Sequence, residues 1–234
     1  TGPDMQDSLD KYVNSSNMYD IDIVSTLGLT DDDINAIKNI EGVESAYGIQ
    51  TKDTIVTLQE EQDTCKVIEY NENSTKPVLV EGRLPENSNE CLLDYLYVRF
   101  SNPSDFIGKT INIQNEETDT DGNPVFTQKE LTIVGICNSP LYISSERGNT
   151  TIGSGKIDFY IYTKDDVINL DYYTNIYVNV SGAKELTTNS DKYLNTVNPV
   201  ISKIEAIKQE REEARYNQLV NNATEELNKA KDEF

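Results

Sequence analysis

The chain has 234 residues, of which 36% are hydrophobic, and its 20 basic and 41 acidic residues leave a formal net charge of -21. This charge argues against nucleic-acid binding and against a peripheral-membrane role, because phosphate groups would repel it. The sequence contains no histidine, which excludes Ser-His-Asp and Cys-His catalysis and metal sites built on imidazole. No apolar run approaches the roughly 20 residues of a membrane span, so we expect any membrane segment to lie outside this sequence.

The first third of the chain predicts a helix, a strand, a second helix and a meander of strands. Met5, Leu9 and Val13 lie at helical spacing, which indicates a short amphipathic helix over 4–13. A strand is predicted over 20–24 from its alternation. Thr30 and Asp33 have the spacing of a capping box for the next helix, which Gly42 is well placed to end. Three further strands follow, over 43–49, 54–58 and 65–70.

The central part of the chain predicts strands only. They lie over 91–94, 107–113 and 130–137, with a polar turn near 119–124. A long loop rich in Gly, Ser and Thr follows over 138–156, and loops of this length are usually functional or disordered. Tyr142 and Arg147 in this loop are residue types that dominate binding energy at interfaces.

We therefore define a candidate partner or ligand loop within this segment. Its residues are Ser139, Pro140, Leu141, Tyr142, Arg147 and Gly148. The alternative interpretation is a structural loop that caps the β-rich part of the chain.

The last third predicts strands over 157–162 and 175–180, with a short helix over 165–170 between them. From Ser190 the chain is predicted to be helical, and Pro199 either kinks that helix or begins a new one. Lys208, Arg211 and Arg215 occupy the next stripe positions and are expected to be solvated.

A heptad stripe of apolar and small residues begins after these basic residues and continues to the last residue of the sequence. We call it the coiled-coil seam, and it consists of Tyr216, Val220, Ala223, Leu227, Ala230 and Phe234. Such a stripe buries little surface without a partner helix. We therefore expect a partner helix, and we expect the natural protein to continue past Phe234.

Together these elements predict an α+β fold. Residues 1–77 and 157–200 are expected to form a discontinuous, porter-like αβ plait, in which a helix packs on one sheet face. Residues 78–156 form a small inserted β subdomain, and residues 201–234 form a C-terminal helix that starts a coiled coil.

Few residues of the sequence indicate a catalytic or metal-binding site. Cys65, Cys91 and Cys137 are widely spaced in apolar contexts, which favours buried free thiols, although one disulfide stays open. Asp119, Asp121 and Asn123 resemble the first positions of a calcium loop, but Pro124 replaces its glycine, so a polar turn is the preferred interpretation. We expect no catalytic residue, cofactor or metal; a hydrolase is the weakest alternative.

Several segments, taken in order, resemble the extracytoplasmic domain of FtsX-like or MacB-like permeases of ABC transporters, particularly those of Gram-positive bacteria. The segments are DMQDSLDKY (4–12), DIVSTLGLTDDD (22–33), IEGVESAYG (40–48), EGRLPENSNECLLD (81–94), TIVGICNSPLYISSERG (132–148) and RYNQL (215–219). The resemblance rests on the order and spacing of these segments over nearly the whole chain.

The resemblance implies a non-catalytic domain at the extracytoplasmic face of the cell membrane. Its expected partners are membrane helices of the same permease, a cytoplasmic ATPase acting through them, and an extracellular protein or an exported substrate. The runner-up interpretation is a surface-exposed binding module for which the coiled coil is only a spacer.

Overall fold

The computed structural model describes residues 11–142 and 144–232. Residues 11–15 are helical, and the remainder of the helix predicted over 4–13 lies outside the described part. The strands are β1 (Ile21–Leu29), β2 (Val43–Ile49), β3 (Thr51–Leu58), β4 (Glu61–Glu69), β5 (Val78–Gly82), β6 (Glu90–Asp94), β7 (Thr110–Gln114), β8 (Glu130–Asn138), β9 (Phe159–Thr163) and β10 (Tyr173–Val180). The helices are α1 (Asp31–Lys38), the single turn α2 (Tyr95–Val98) and α3 (Asp191–Asp232), with a 3-10 turn at Pro103–Asp105.

A three-stranded antiparallel sheet, in the order β1-β10-β2, carries the helices α1 and α3. α1 begins with the predicted capping box, in which Thr30 and Asp33 exchange hydrogen bonds. Alternate residues of the strands, such as Ala46 and Ile176, pack against Ile34 and Ile37 of α1 in one buried cluster. This unit therefore packs helices against a sheet.

The second sheet has seven strands in the order β5-β8-β6-β9-β4-β3-β7, and a further pairing joins β7 to β8. That pairing closes strands β8, β6, β9, β4, β3 and β7 into a barrel, and closure removes exposed sheet edges. Every strand of the ring contributes to the largest buried cluster, which includes Val56, Val67, Leu93, Ile111, Ile133 and Phe159.

The strand pairing differs from the predicted grouping in one respect. Strands β3, β4 and β9 pair in the barrel rather than with β1, β2 and β10. The sequence places β3 and β4 next to β2 along the chain, but sheet membership is decided by pairing between distant segments, such as the parallel pair β4 and β9. The α+β class and the long C-terminal helix are confirmed, while the plait and the domain boundaries stay predictions.

Two glycines allow the backbones of the paired strands β5 and β8 to approach each other closely. Gly82 has φ +80°, and a Cβ atom there would lie 2.3 Å from the carbonyl oxygen of Val134. A Cβ atom on Gly135, its partner in the register, would lie 2.5 Å from the carbonyl oxygen of Arg83. The next residue, Arg83, forms a bidentate ion pair with Glu90, in which the Nη2–Oε1 distance is 2.5 Å. The segment 81–90 is therefore a loop whose two ends are held together by the ion pair between Arg83 and Glu90.

The two sheets meet at a junction rich in tyrosine. Tyr177 of the smaller sheet packs with Tyr160 and Tyr162, which lie on the opposite face of β9 from Phe159 and Ile161. All five residues of β9 are buried because one face of the strand lines the barrel core and the other lines this junction.

The short helix predicted over 165–170 is wrong. Residues 165–167 form a turn and a bend, and Ile168 makes an isolated bridge with Phe126. Val167 and Ile168 are both buried against the barrel core. The backbone of this segment is hydrogen-bonded to distant residues instead of to its own next turn, since the N–H of Thr127 donates to the carbonyl of Val167 and the N–H of Asn169 donates to the carbonyl of Val125.

α3 is one continuous helix with Pro199 inside it. Its first turns pack on the smaller sheet through Val197 and Val200. The expected solvation of the basic stripe is wrong for two of its residues. Arg215 is 7% exposed and donates its Nε–H to the carbonyl oxygen of Leu27, and the Nε of Arg211 lies 2.7 Å from Asp33 Oδ1. Their long stems cover apolar surface of the sheet while their charged ends reach polar partners.

The rest of α3 carries the coiled-coil seam on an exposed helix. Tyr216, Val220 and Leu227 are 60%, 45% and 55% exposed, and Ala223 and Ala230 are also exposed. Phe234 lies outside the described residues. Pairing of the seam with another helix stays a prediction. Within the described ranges, no helix combines the length and the apolar character needed to cross a bilayer.

Candidate functional site

An ion pair joins Asp94, the last residue of the segment 81–94, to Arg147 near the end of the segment 132–148. β6 and β8 are parallel neighbours, so Asp94 at the end of β6 lies close to the loop that follows β8. The Arg147 guanidinium binds both carboxylate oxygens of Asp94, with Nε–Oδ2 2.5 Å and Nη2–Oδ1 2.9 Å. The two side chains are 6% and 0% exposed. Asp94 also caps α2 by accepting the N–H of Leu96, so a single carboxylate organises both segments.

Aromatic rings surround this ion pair. The guanidinium of Arg147 lies 5.4 Å from the ring centroid of Tyr142 and 5.2 Å from that of Tyr160. These two rings are stacked, with centroids 5.0 Å apart. Ser139 and Tyr162 share a buried hydrogen bond of 2.6 Å between their hydroxyl groups. Burial raises the pKa of Tyr160 and of Tyr162, so both phenols stay neutral.

The candidate partner or ligand loop is therefore fastened to the barrel through part of its length. Ser139, Pro140 and Arg147 are buried, Leu141 and Tyr142 are half-buried, and Gly148 is exposed with φ +100°. Because Arg147 is paired with the buried Asp94, its position supports the alternative in which the loop has a structural role at this residue. A role of the loop in binding stays a prediction, and Leu141 and Tyr142 are the side chains placed to take part.

Leu141 and Tyr142 line a cleft of about 200 Å³ between the two sheets. Asp22 and Asn175 contribute from the smaller sheet, and Thr51, Lys66 and Ile68 contribute from the barrel. Tyr19 and Tyr177 complete the lining, and their rings are stacked with centroids 4.5 Å apart. The cleft thus has three tyrosine rings and both signs of charge.

A single residue, Gln50, connects the sheets beside this cleft. It lies between β2 and β3, its N–H donates to Glu69 Oε2 at 2.8 Å, and its carbonyl accepts the N–H of Glu69. Its side-chain amide donates to the carbonyl of Leu170 at 2.8 Å and accepts the N–H of the same residue. Burial raises the pKa of Glu69 to about 7, an effect that the Gln50 N–H partly offsets and that the nearby Asp165 carboxylate increases.

The remaining sequence candidates have structural roles. Cys65, Cys91 and Cys137 are buried free thiols, as predicted, and burial raises the pKa of each thiol well above its usual value. The carboxylate of Asp119 accepts the backbone N–H of Asp121 and of Asn123, so it is occupied by its own turn. Within the described residues, no group of three or more Cys, Asp or Glu side chains is arranged to hold a metal ion.

Sequence reasoning did not find most of the junction. The sequence predicts Asp94 only as the end of a strand, and no motif marks Tyr19, Lys66 or Tyr177. The available signal was compositional, because 14 tyrosines against 5 phenylalanines indicate buried rings that also need polar partners.

No protein-family model and no curated protein matches the chain. Among solved structures, it is similar to the extracellular domain of the noncanonic ABC-type transporter YknZ from Gram-positive bacteria, with 13% identity, a TM-score of 0.41, and coverage of 75% of this chain and 85% of that one. It is also similar to the periplasmic region of MacB from Actinobacillus actinomycetemcomitans, with 13% identity, a TM-score of 0.42, and coverage of 81% and 84%. Both neighbours are extracytoplasmic domains, the type that the sequence resemblance names.

Proposed function

We propose that the chain is a non-catalytic extracytoplasmic domain of an ABC transporter permease, held at the outer face of the cell membrane. In this role it couples the ATP-driven movement of membrane helices to substrate export or to an extracellular partner. Its partners are membrane helices of the same permease and, through them, a cytoplasmic ATPase. The ordered sequence segments described above support the class of protein.

The geometry of α3 carries the coupling part of the proposal. The helix has 42 residues, which corresponds to a length of about 63 Å at 1.5 Å per residue. Val197, Val200 and Arg215 hold its first part on the three-stranded sheet, and from Tyr216 onward its residues are mostly exposed. A continuous helix transmits displacement along its axis, so movement of the free part would reach the sheet.

The tyrosine junction would carry that movement further. Tyr177 on β10 packs with Tyr160 and Tyr162 on β9, so the smaller sheet and the barrel share a close-packed interface. Packed interfaces shift between discrete arrangements rather than deforming continuously. A displacement of α3 therefore has a physical route to the cleft and to the loop that lines it.

The alternative is a surface-exposed binding module on a coiled-coil spacer, and the exposed apolar stripe from Tyr216 to Ala230 favours it. The two proposals differ in what they require of α3. Coupling requires the helix to stay stiff between its docked part and its free part, whereas a spacer requires only length.

Labelling of an introduced cysteine tests the location that the proposal requires. Phe100 is 89% exposed, and the three native cysteines are each 0% exposed, so background labelling is expected to be low. In intact cells making the native protein with Phe100→Cys, a membrane-impermeant maleimide should label the chain as fully as it does after permeabilisation. The unsubstituted protein should stay unlabelled in both conditions. Labelling of Phe100→Cys only after permeabilisation would place the domain inside the cell and end the proposal.

A further inference from the structure

The cleft between the sheets has the composition of a site for an organic cation. Tyr19, Tyr142 and Tyr177 are among the residues that line it. Burial raises the pKa of Tyr19 to about 12 and raises the pKa of the other two phenols still further, so the rings stay uncharged. Neutral tyrosine rings offer apolar surface against which the carbon chain of such a ligand can pack, while its charged end stays at a polar group.

The charges of the cleft leave one carboxylate without a cationic partner. Lys66 is paired with Asp53, with 2.7 Å between Nζ and Oδ1. The carboxylate of Asp22 accepts only from the side-chain amide of Asn175, at 2.9 and 3.2 Å, and within the described ranges no lysine or arginine lies at ion-pair distance from it. Asp22 is an exposed residue of the cleft lining.

The size of the cleft and the charge of the whole chain select the ligand class further. A volume of about 200 Å³ suits a ligand of a few carbon atoms better than a drug-sized metabolite. The net charge of -21 raises the local concentration of cations around the chain. Ile68 and Leu141 supply apolar surface for the carbon chain between the rings.

We propose that this cleft binds a primary alkylammonium group, with the carbon chain among the tyrosine rings and the ammonium group at the Asp22 carboxylate. The group comes either from a free amine or from the lysine side chain of a peptide. Because residues of both sheets line the cleft, a bound ligand would bridge them. Binding is a property of this chain alone, so the inference does not depend on the proposed transporter role.

Titrations monitored by amide NMR test the proposal. With n-butylammonium we expect saturable shifts confined to cleft residues such as Asn175 and Tyr177, with millimolar affinity because the ligand has few atoms. n-Butanol, which has the same length without the charge, should bind at least tenfold more weakly. N-acetyl-lysine-N-methylamide identifies the source: tighter binding than n-butylammonium indicates a peptide lysine, and weaker binding indicates a free amine.

Matched variants assign the interaction to named groups. Asp22→Asn keeps an acceptor for Asn175 and should weaken n-butylammonium binding about tenfold, whereas Asp105→Asn, an exposed site on the barrel, should leave it unchanged. Tyr142→Phe keeps the ring and should bind as the native chain does, while Tyr142→Leu should lose several-fold in affinity. Thermal unfolding of each variant checks that it is folded.

Two results would overturn the proposal. Equal binding of n-butanol and n-butylammonium would show an apolar cavity without selectivity for a cation. Shifts that spread over the acidic surface, or that persist unchanged in Asp22→Asn, would show general attraction of cations by the charged chain.

Discussion

Arg147 and Asp94 are the residues on which the loop after β8 depends. Arg147 is held at both ends of its guanidinium, because Nη1 also donates to the carbonyl of Ser144 at 2.6 Å. Two tyrosine rings lie against the guanidinium, and both side chains of the pair are buried. A buried charge that loses its partner costs far more than an exposed one, since nothing replaces the lost hydration.

We expect Arg147→Met to lower the free energy of unfolding by about 3–5 kcal/mol, because it leaves the Asp94 carboxylate buried without a cation. Arg99→Met is the matched control: Arg99 is exposed and lies over the Phe100 ring, so its loss should cost about 1 kcal/mol or less. Urea denaturation of both variants measures the difference. Similar costs for the two substitutions would contradict the anchoring role assigned to Arg147.

At the scale of the element, the sequence predicts a helix or strand correctly where the contacts that define it are between residues close together in the chain. Thr30 and Asp33 predict the start of α1, and the strand predicted from Val43 begins there. The predicted end of the helix at Gly42 is wrong, because the helix ends at Lys38 and Asn39 caps it with its backbone N–H. The same reasoning failed for residues 165–170, where the bridge between Ile168 and Phe126 decides the conformation. It also failed to place Arg211 and Arg215, because their partners lie on α1 and β1, far away along the chain.

The stiffness of α3 is the property that separates coupling from a passive spacer. Asn221 is exposed on the free part of the helix, so Asn221→Pro breaks the helix there without disturbing the docked part or the core. In the full-length permease that we propose, we expect this variant to lose export-linked ATP hydrolysis, measured in membranes, while the thermal unfolding midpoint of the domain stays close to that of the unsubstituted protein. Asn221→Ala, which preserves the helix, should keep full activity. Full activity of Asn221→Pro would instead favour the spacer.

At the scale of the whole molecule, the arrangement of the two sheets depends on a short connection. Gln50 separates β2 from β3, and Thr174 Oγ1 both accepts the N–H of Thr51 at 2.9 Å and donates to the carbonyl of Ile49 at 3.1 Å. Glu69 holds the backbone of Gln50 from the barrel side. None of this is visible as a motif, because the contacts join segments that are up to 125 residues apart.

Glu69 makes this connection sensitive to pH. Its pKa is about 7 in the folded chain and 4.5 in its ordinary state, chiefly because of burial. Between these values the folded state holds a proton that the unfolded state has released, so the free energy of unfolding falls as the pH rises. The loss from this one group amounts to roughly 3 kcal/mol between about pH 4 and pH 8.

Replacing the carboxylate should remove that dependence and leave the hydrogen bond in place. Glu69→Gln keeps an oxygen for the N–H of Gln50 and has no charge to bury, so it should be more stable than the unsubstituted chain at pH 8 and nearly equal to it near pH 4. Glu72→Gln, which removes an exposed carboxylate from the following loop, should follow the unsubstituted chain at both values. Chemical denaturation at a series of pH values gives the comparison. Parallel stability curves for Glu69→Gln and the unsubstituted chain would mean that the Glu69 carboxylate is not the group that links pH to the contact between the sheets.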